Sequence, residues 1–206
     1  MSKRIITISR EFGSGGRSVG KRVAELLDVP YYDKELVKKV AVETGFAEEF
    51  VERQGEDTNP WKALFSYAFA GVNGHRPMNG LSADDFLWAI QCKVILELAD
   101  KGPCVIVGRC ADYILRERED ALHAFIHADI ASRAERIVRL YGESEVNPEK
   151  RLEDKDKRRR AYYKHYTGNE WGHYRSHHLS LNTGVVGIER AARIIVEVAR
   201  QPICEI

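Results

Sequence analysis

No apolar run in these 206 residues approaches the twenty or so needed to cross a bilayer, which leaves no candidate for a membrane-spanning helix. Cysteine is scarce. The four present, Cys92, Cys104, Cys110 and Cys204, include no C-x-x-C pair, which argues against a zinc ribbon, a redox dithiol or a disulfide framework. Reduced, packed thiols in a reducing compartment are the expected state. Neither sign of charge is in excess: 32 basic residues stand against 31 acidic, for a net charge of +1. Nothing global therefore recruits nucleic acid or an anionic membrane, and any anion binding must be local. No leader pattern precedes the first apolar segment, so a cytoplasmic location is expected. The length suits one α/β domain and is short for two.

What is present begins at once. The apolar run Ile5-Ile6-Thr7-Ile8 leads into Ser9-Arg10-Glu11-Phe12-Gly13-Ser14-Gly15-Gly16-Arg17-Ser18, and a helical pattern follows. Strand, glycine-rich turn and helix N-terminus in that order are the parts of a phosphate cradle. If Gly15 is the second glycine of G-x-x-x-x-G-K-[ST], then Arg10 stands where the first glycine belongs and Gly16 replaces the lysine. Arg17 follows, and Ser18 supplies the hydroxyl. A second register, Gly15 to Lys21, reads G-x-x-x-x-G-K literally, but Arg22 then replaces the hydroxyl residue and only about two helical turns remain before Pro30. The first register lets a helix run from Arg17 to Leu27 with Val19, Val23, Leu26 and Leu27 on one face.

Further strands are expected at Pro30 to Tyr32, Cys104 to Val107, Ala124 to Ile126 and Leu179 to Asn182, with helices between them. Short apolar strands alternating with helices predict a mostly parallel sheet covered on both faces, with ligands beyond the strands' C-terminal ends. Helices are expected at Lys34 to Val42, at Ser82 to Ala99 behind a Ser82/Asp85 capping box, and at Ile188 to Arg200. Between 54 and 80 an irregular stretch carries Trp61, Phe65, Tyr67 and Phe69, read as a flap or as the surface of a homodimer. Over residues 141–175 a basic segment contains Arg158 and Arg159, with Arg133 and Arg136 just before it. It reads either as solvated helices or as a lid bringing arginines to a polyphosphate. His165, His173, His177 and His178 lack the companions of a zinc site and read as surface or lid residues.

Taken in order, the loop, Tyr31-Tyr32-Asp33, Val105 to Asp112, Asp156 to Arg160 with Tyr162-Tyr163, and Gly168-Asn169-Glu170-Trp171-Gly172 resemble the cytidylate kinase-like family of phosphate-loop kinases over nearly the whole chain. The resemblance implies a single three-layer P-loop kinase domain, with an insert at about 54–80 and a basic helical lid at about 141–175. It implies transfer of the γ-phosphoryl group of ATP, with Mg²⁺, to a nucleoside monophosphate such as CMP or dCMP.

Residue by residue, the resemblance makes Arg10, Gly13, Ser14, Gly15, Gly16, Arg17 and Ser18 the nucleotide-binding loop, with the Ser18 hydroxyl on the magnesium ion. Arg17, Arg133, Arg158 and Arg159 become the catalytic cations, and Asp33 and Arg109 contact the acceptor. Two departures stand out: the loop lysine is Gly16, and the Gly-Arg-Asp of authentic cytidylate kinases is Gly108-Arg109-Cys110. The residues leave Asp33 open to a second role as a helix N-cap. They also leave open a kinase with another small-molecule acceptor, or a non-catalytic nucleotide sensor.

Overall fold

The computed structural model describes residues 4–33, Leu36 and 83–201 of the chain. The described strands are β1 (Ile5–Arg10), β2 (Tyr31–Tyr32), β3 (Cys104–Val107), β4 (Ala121–His127) and β5 (Leu179–Asn182). They form one sheet in the order β2-β3-β1-β4-β5, and every pairing is parallel. β1 lies in the middle and is buried at all six residues, as an apolar strand covered on both faces must be. It runs two residues beyond the expected Ile8, because Ser9 and Arg10 pair with Phe125 and Ile126 of β4. β4 is likewise longer than Ala124 to Ile126, and its polar His123 is accommodated by a 2.8 Å hydrogen bond between Nδ1 and Thr7 Oγ1.

The described helices are α1 (Gly16–Leu27), α2 (Ala83–Lys101), α3 (Ala111–Ile114), α4 (Ile130–Tyr141), α5 (Pro148–Thr167), α6 (Thr183–Val186) and α7 (Ile188–Arg200), with a 3₁₀ turn at Tyr174–Ser176. Alternation along β1 sends its side chains to two cores. Ile5 packs with Val94, Ile95 and Leu98 of α2, whereas Ile6 and Ile8 pack with Val19 and Val23 of α1 and Ala192 and Ile195 of α7. The result is three layers, helix on sheet on helix, as the alternation of elements requires. Gly20 in the middle of α1 is explained by close packing, since a Cβ there would lie 2.7 Å from Val107 Cγ2. Apart from Leu36, which is helical and buried, the helix expected at Lys34 to Val42 lies outside the described residues, as do the insert at 54–80 and Cys204. Cys104 and Cys110 are buried and Cys92 is half-buried.

α4 and α5 form a separate pair. Asp129 caps α4 by accepting from the Ser132 amide at 2.8 Å, while Asn147 caps α5 ahead of Pro148 at its first turn. Ala134, Ile137 and Leu152 close a small core between them, and Phe12 from the loop after β1 packs onto it. That contact ties the basic helices to the glycine-rich loop.

Candidate active site

β1, β2 and β3 end side by side, so the loops that follow them share one rim of the sheet. After β1 the chain turns through Gly13 at φ 78° and Gly15 at φ 83°, a left-handed region that L side chains rarely adopt. Gly15 is also the N-cap of α1. The first-turn amides of that helix have no carbonyl within the helix to bond, and together with the helix dipole they favour an anion. The loop is held from outside. Ser14 Oγ donates to Glu11 O at 2.8 Å, and Thr183 Oγ1 at the start of α6 donates to Ser14 O at 2.5 Å. Arg136 donates from Nη1 to Gly13 O at 2.8 Å.

Arg136 also reports what the loop is suited to hold. Its Nε is buried without a hydrogen-bond partner among the described residues. Its pKa is lowered, first by burial and then by the neighbouring Arg139. A desolvated cation beside a cradle of amides is short of negative charge, and the phosphates of a nucleotide fit that deficit. Ser18 is exposed in the first turn of α1, within the same loop, where its hydroxyl suits a hard cation shared with phosphate oxygens.

Along the rim, Asp33 at the end of β2 receives two guanidinium groups: Arg17 Nε lies 2.7 Å and Arg10 Nη2 3.9 Å from its carboxylate. Arg10 is almost wholly buried and Arg17 half exposed. Tyr31 reaches the same carboxylate at 3.5 Å, and burial, then the Asp33 charge, push its phenol up to about 12. At the end of β3, Gly108, Arg109 and Cys110 all have positive φ, of 80°, 58° and 53°. For Arg109 and Cys110 that conformation costs on the order of 1–2 kcal/mol each. The strain is held partly by Gln91 of α2, whose Nε2 donates to Arg109 O at 3.0 Å. Arg109 and Arg10 line a small cavity with Tyr162, Tyr163 and Trp171, roughly 30 Å³ in volume.

The basic helices meet the loop through one acid. Asp156 on α5 is buried, and its Oδ1 accepts from the Phe12 amide at 2.8 Å. Arg133 on α4 pairs with Asp156 Oδ2 at 2.5 Å and donates to Phe12 O at 3.3 Å. Arg159 lies 3.6 Å from Asp156 and donates to Arg10 O at 3.0 Å. Arg133 and Arg159 thus grip the loop backbone in this structure, while Arg158 is exposed on α5.

The model of the cytidylate kinase-like family matches residues 5–185, a span that contains every one of these contacts. The chain belongs to the cytidylate kinase-like family. Membership together with the P-loop kinase sheet makes it a small-molecule kinase, and ATP is the phosphoryl donor that such a kinase implies. Among solved structures, an uncharacterized protein from Eubacterium ventriosum is 28% identical, with 94% of this chain and 96% of that one covered at a TM-score of 0.68. Shikimate kinase from Acinetobacter baumannii is 17% identical, covering 94% of this chain and 91% of its own at a TM-score of 0.51. Shikimate kinase from Bacteroides thetaiotaomicron is 14% identical, covering 94% and 96% at 0.53. These two share the fold. No curated protein matches the chain.

The structure brings Arg10, Gly13 to Ser18, Asp33 and Arg109 of this kinase to one rim, with Arg133 and Arg159 behind the loop. Sequence reasoning assigned no role to Asp156, Thr183 or Gln91. Asp156 carried a readable signal as the one acid within Lys155 to Arg160. Nothing local marks Thr183, which donates to the carbonyls of Ser14 and His127, or Gln91, which donates to Arg109 O and accepts from Tyr162 OH, since all of these partners lie well away in the chain. His177 differs from the surface reading: it is buried, with Nε2 3.5 Å from Asp112 and its ring against Phe125. Asp112 also accepts from Ser9 Oγ at 3.0 Å and from Tyr163 OH at 2.7 Å, forming a polar floor beneath the rim. No group of three or more metal-ligating side chains occurs among the described residues, and no described helix is long and apolar enough to cross a membrane.

Proposed function

We propose that the chain transfers the γ-phosphoryl group of ATP to a nucleoside monophosphate, CMP or dCMP being the first choice. One observation carries this reading: the cradle after β1 shares its rim with Arg109 at the end of β3, the strand beside β1, and with Asp33 at the end of β2, one strand further, whose carboxylate Arg17 of the cradle meets at 2.7 Å. Donor phosphates at Gly13 to Ser18 and an acceptor phosphate at Arg109 then share a rim, so that positioning supplies much of the rate. In the transfer, an acceptor oxygen forms a bond to the γ-phosphorus as the bond to the β–γ bridging oxygen breaks, and ADP leaves with that electron pair. Arg136 neutralises charge on the loop side, and Arg17, tethered to Asp33, does so on the acceptor side. Mg²⁺, held by Ser18 and the phosphates, would supply further neutralisation when bound. Arg133, Asp156 and Arg159 keep the loop in shape.

The test is steady-state kinetics of ADP release with ATP, Mg²⁺ and CMP for wild type and Arg109→Ala. A raised acceptor KM with an unchanged ATP KM supports the placement. An unchanged acceptor KM removes Arg109 from the acceptor site. ATP binding by wild type without release of ADP for any acceptor would favour a nucleotide sensor instead.

A further inference from the structure

The two departures of the loop from G-x-x-x-x-G-K, arginine for the first glycine and glycine for the lysine, meet in space. An ideal Cβ placed on Gly16 would collide with Arg10 Cβ and lie 2.8 Å from Arg10 Cγ. The stem of Arg10 therefore fills the volume in which a lysine at 16 would begin. Its other end is cleared in the same way: a Cβ on Gly108 would collide with Arg10 Nη1 and lie 2.9 Å from Cζ. Two glycines, one at the head of α1 and one at the end of β3, thus leave a channel for one long cationic side chain. Arg10 runs from the loop toward Asp33, 3.9 Å from its Nη2, and is only 7% exposed.

We propose that Arg10 is the phosphate-binding cation of this loop, the lysine at position 16 and the glycine at position 10 having been exchanged for Gly16 and Arg10. The inference rests on the kinase reading above. Only one of the two positions has room for a side chain, so a cation at 10 demands glycine at 16, and a lysine at 16 demands glycine at 10. The guanidinium lies between the cradle and the strand ends bearing Asp33 and Arg109, on the path of the phosphoryl group. It differs from lysine in kind. A lysine ammonium on a flexible stem follows the phosphate, whereas a planar fork held at Asp33 presents fixed donors. The fixed fork rewards a nucleotide whose terminal phosphate reaches it, so ATP is favoured over ADP.

The test is calorimetric binding of ATP and of ADP, with Mg²⁺, to wild type, Arg10→Met, Gly16→Lys and the exchanged double variant Arg10→Gly/Gly16→Lys, with thermal unfolding to establish folding. Arg10→Met keeps the apolar stem and drops the charge. It should weaken ATP by about tenfold or more, the scale of one charge-assisted contact, and weaken ADP much less. Gly16→Lys alone should lose nucleotide binding, and the double variant should regain it. A merely structural role for Arg10 would lower both nucleotides alike and leave the double variant no better than Gly16→Lys. Either result overturns the inference, as does a double variant that fails to fold. Failure of wild type to bind ATP would overturn the kinase reading with it, whereas firm wild-type binding indifferent to Arg10→Met overturns this inference alone.

Discussion

Arg133 and Asp156 form a buried ion pair that brackets the backbone of a single loop residue: Asp156 accepts from the Phe12 N–H at 2.8 Å while Arg133 donates to the Phe12 C=O at 3.3 Å. Glu11 adds a second acid 3.4 Å from Arg133, and its carboxylate also accepts from the Ala128 amide. The two basic helices are thereby coupled to the strand that carries the cradle. Removing one member of such a pair leaves the other charge buried and short of a partner.

Asp156→Ala should accordingly destabilise the protein by about 3–5 kcal/mol, and a milder Asp156→Asn by less, because the amide oxygen still accepts from Phe12. Chemical denaturation measures both. ATP affinity in Asp156→Ala should fall along with stability, since the loop loses the acceptor of its Phe12 amide. A stable Asp156→Ala protein with normal ATP affinity would mean that the bracket is incidental.

Arg136 should behave in the opposite sense. Its charge is desolvated, with its pKa lowered by burial and by Arg139, and that cost offsets the hydrogen bond it donates to Gly13 O. Arg136→Met should keep stability within about 1 kcal/mol while raising the Kd for ATP about tenfold. Calorimetry with ATP and a parallel melt separate the two effects. The ATP contribution should also shrink with added salt, as expected for a cation that meets its partner only on binding.

The left-handed conformation of Arg109 sets function against stability. Glycine takes φ 58° without the Cβ penalty, so Arg109→Gly should stabilise the fold by about 1 kcal/mol, somewhat offset by glycine's larger unfolded-state entropy. The same change should abolish acceptor binding. A rise in Tm with an increased acceptor KM is the expected signature; a fall in Tm would show that the arginine side chain holds the turn.

Alkaline stability should report Tyr31. Its phenol is neutral in the folded protein up to about pH 12, because of burial and the Asp33 charge, against about 10 when unfolded. The folded state then binds the proton more tightly, so the contribution is complete below about pH 10 and is lost as pH rises toward 12. Tyr31→Phe should melt with a smaller loss of Tm between pH 9 and 11.5 than wild type. Parallel curves would exclude Tyr31 as a source of the alkaline loss.

Much of the framework was legible because it follows from periodicity. β5, α7 and the body of α1 appear where alternating and 3.6-residue patterns place them, and the order of chemical loops after strand ends predicted the rim. The meaning of the loop's unusual letters was not legible. Arg10 and Gly16 look like two independent losses from a motif until their side chains share one volume. The strain at Arg109 and Cys110 and the buried acid Asp156 within a cationic run depend on partners 18 to 144 residues away, and no local pattern encodes such distances. His177 was missed for the same reason, since its burial is decided by Phe125 and Asp112.

The most direct measurement is coupled ADP release with ATP and Mg²⁺ across CMP, dCMP, UMP, AMP, GMP and an acceptor-free control, for wild type, Arg17→Ala and Lys21→Ala. Arg17 meets Asp33 at the rim, whereas Lys21 is an exposed residue a turn further along α1. The predicted result is release that depends on CMP or dCMP, falls roughly tenfold or more in Arg17→Ala and is little changed in Lys21→Ala. Release that needs no monophosphate, or equal small effects of the two substitutions, would contradict the account.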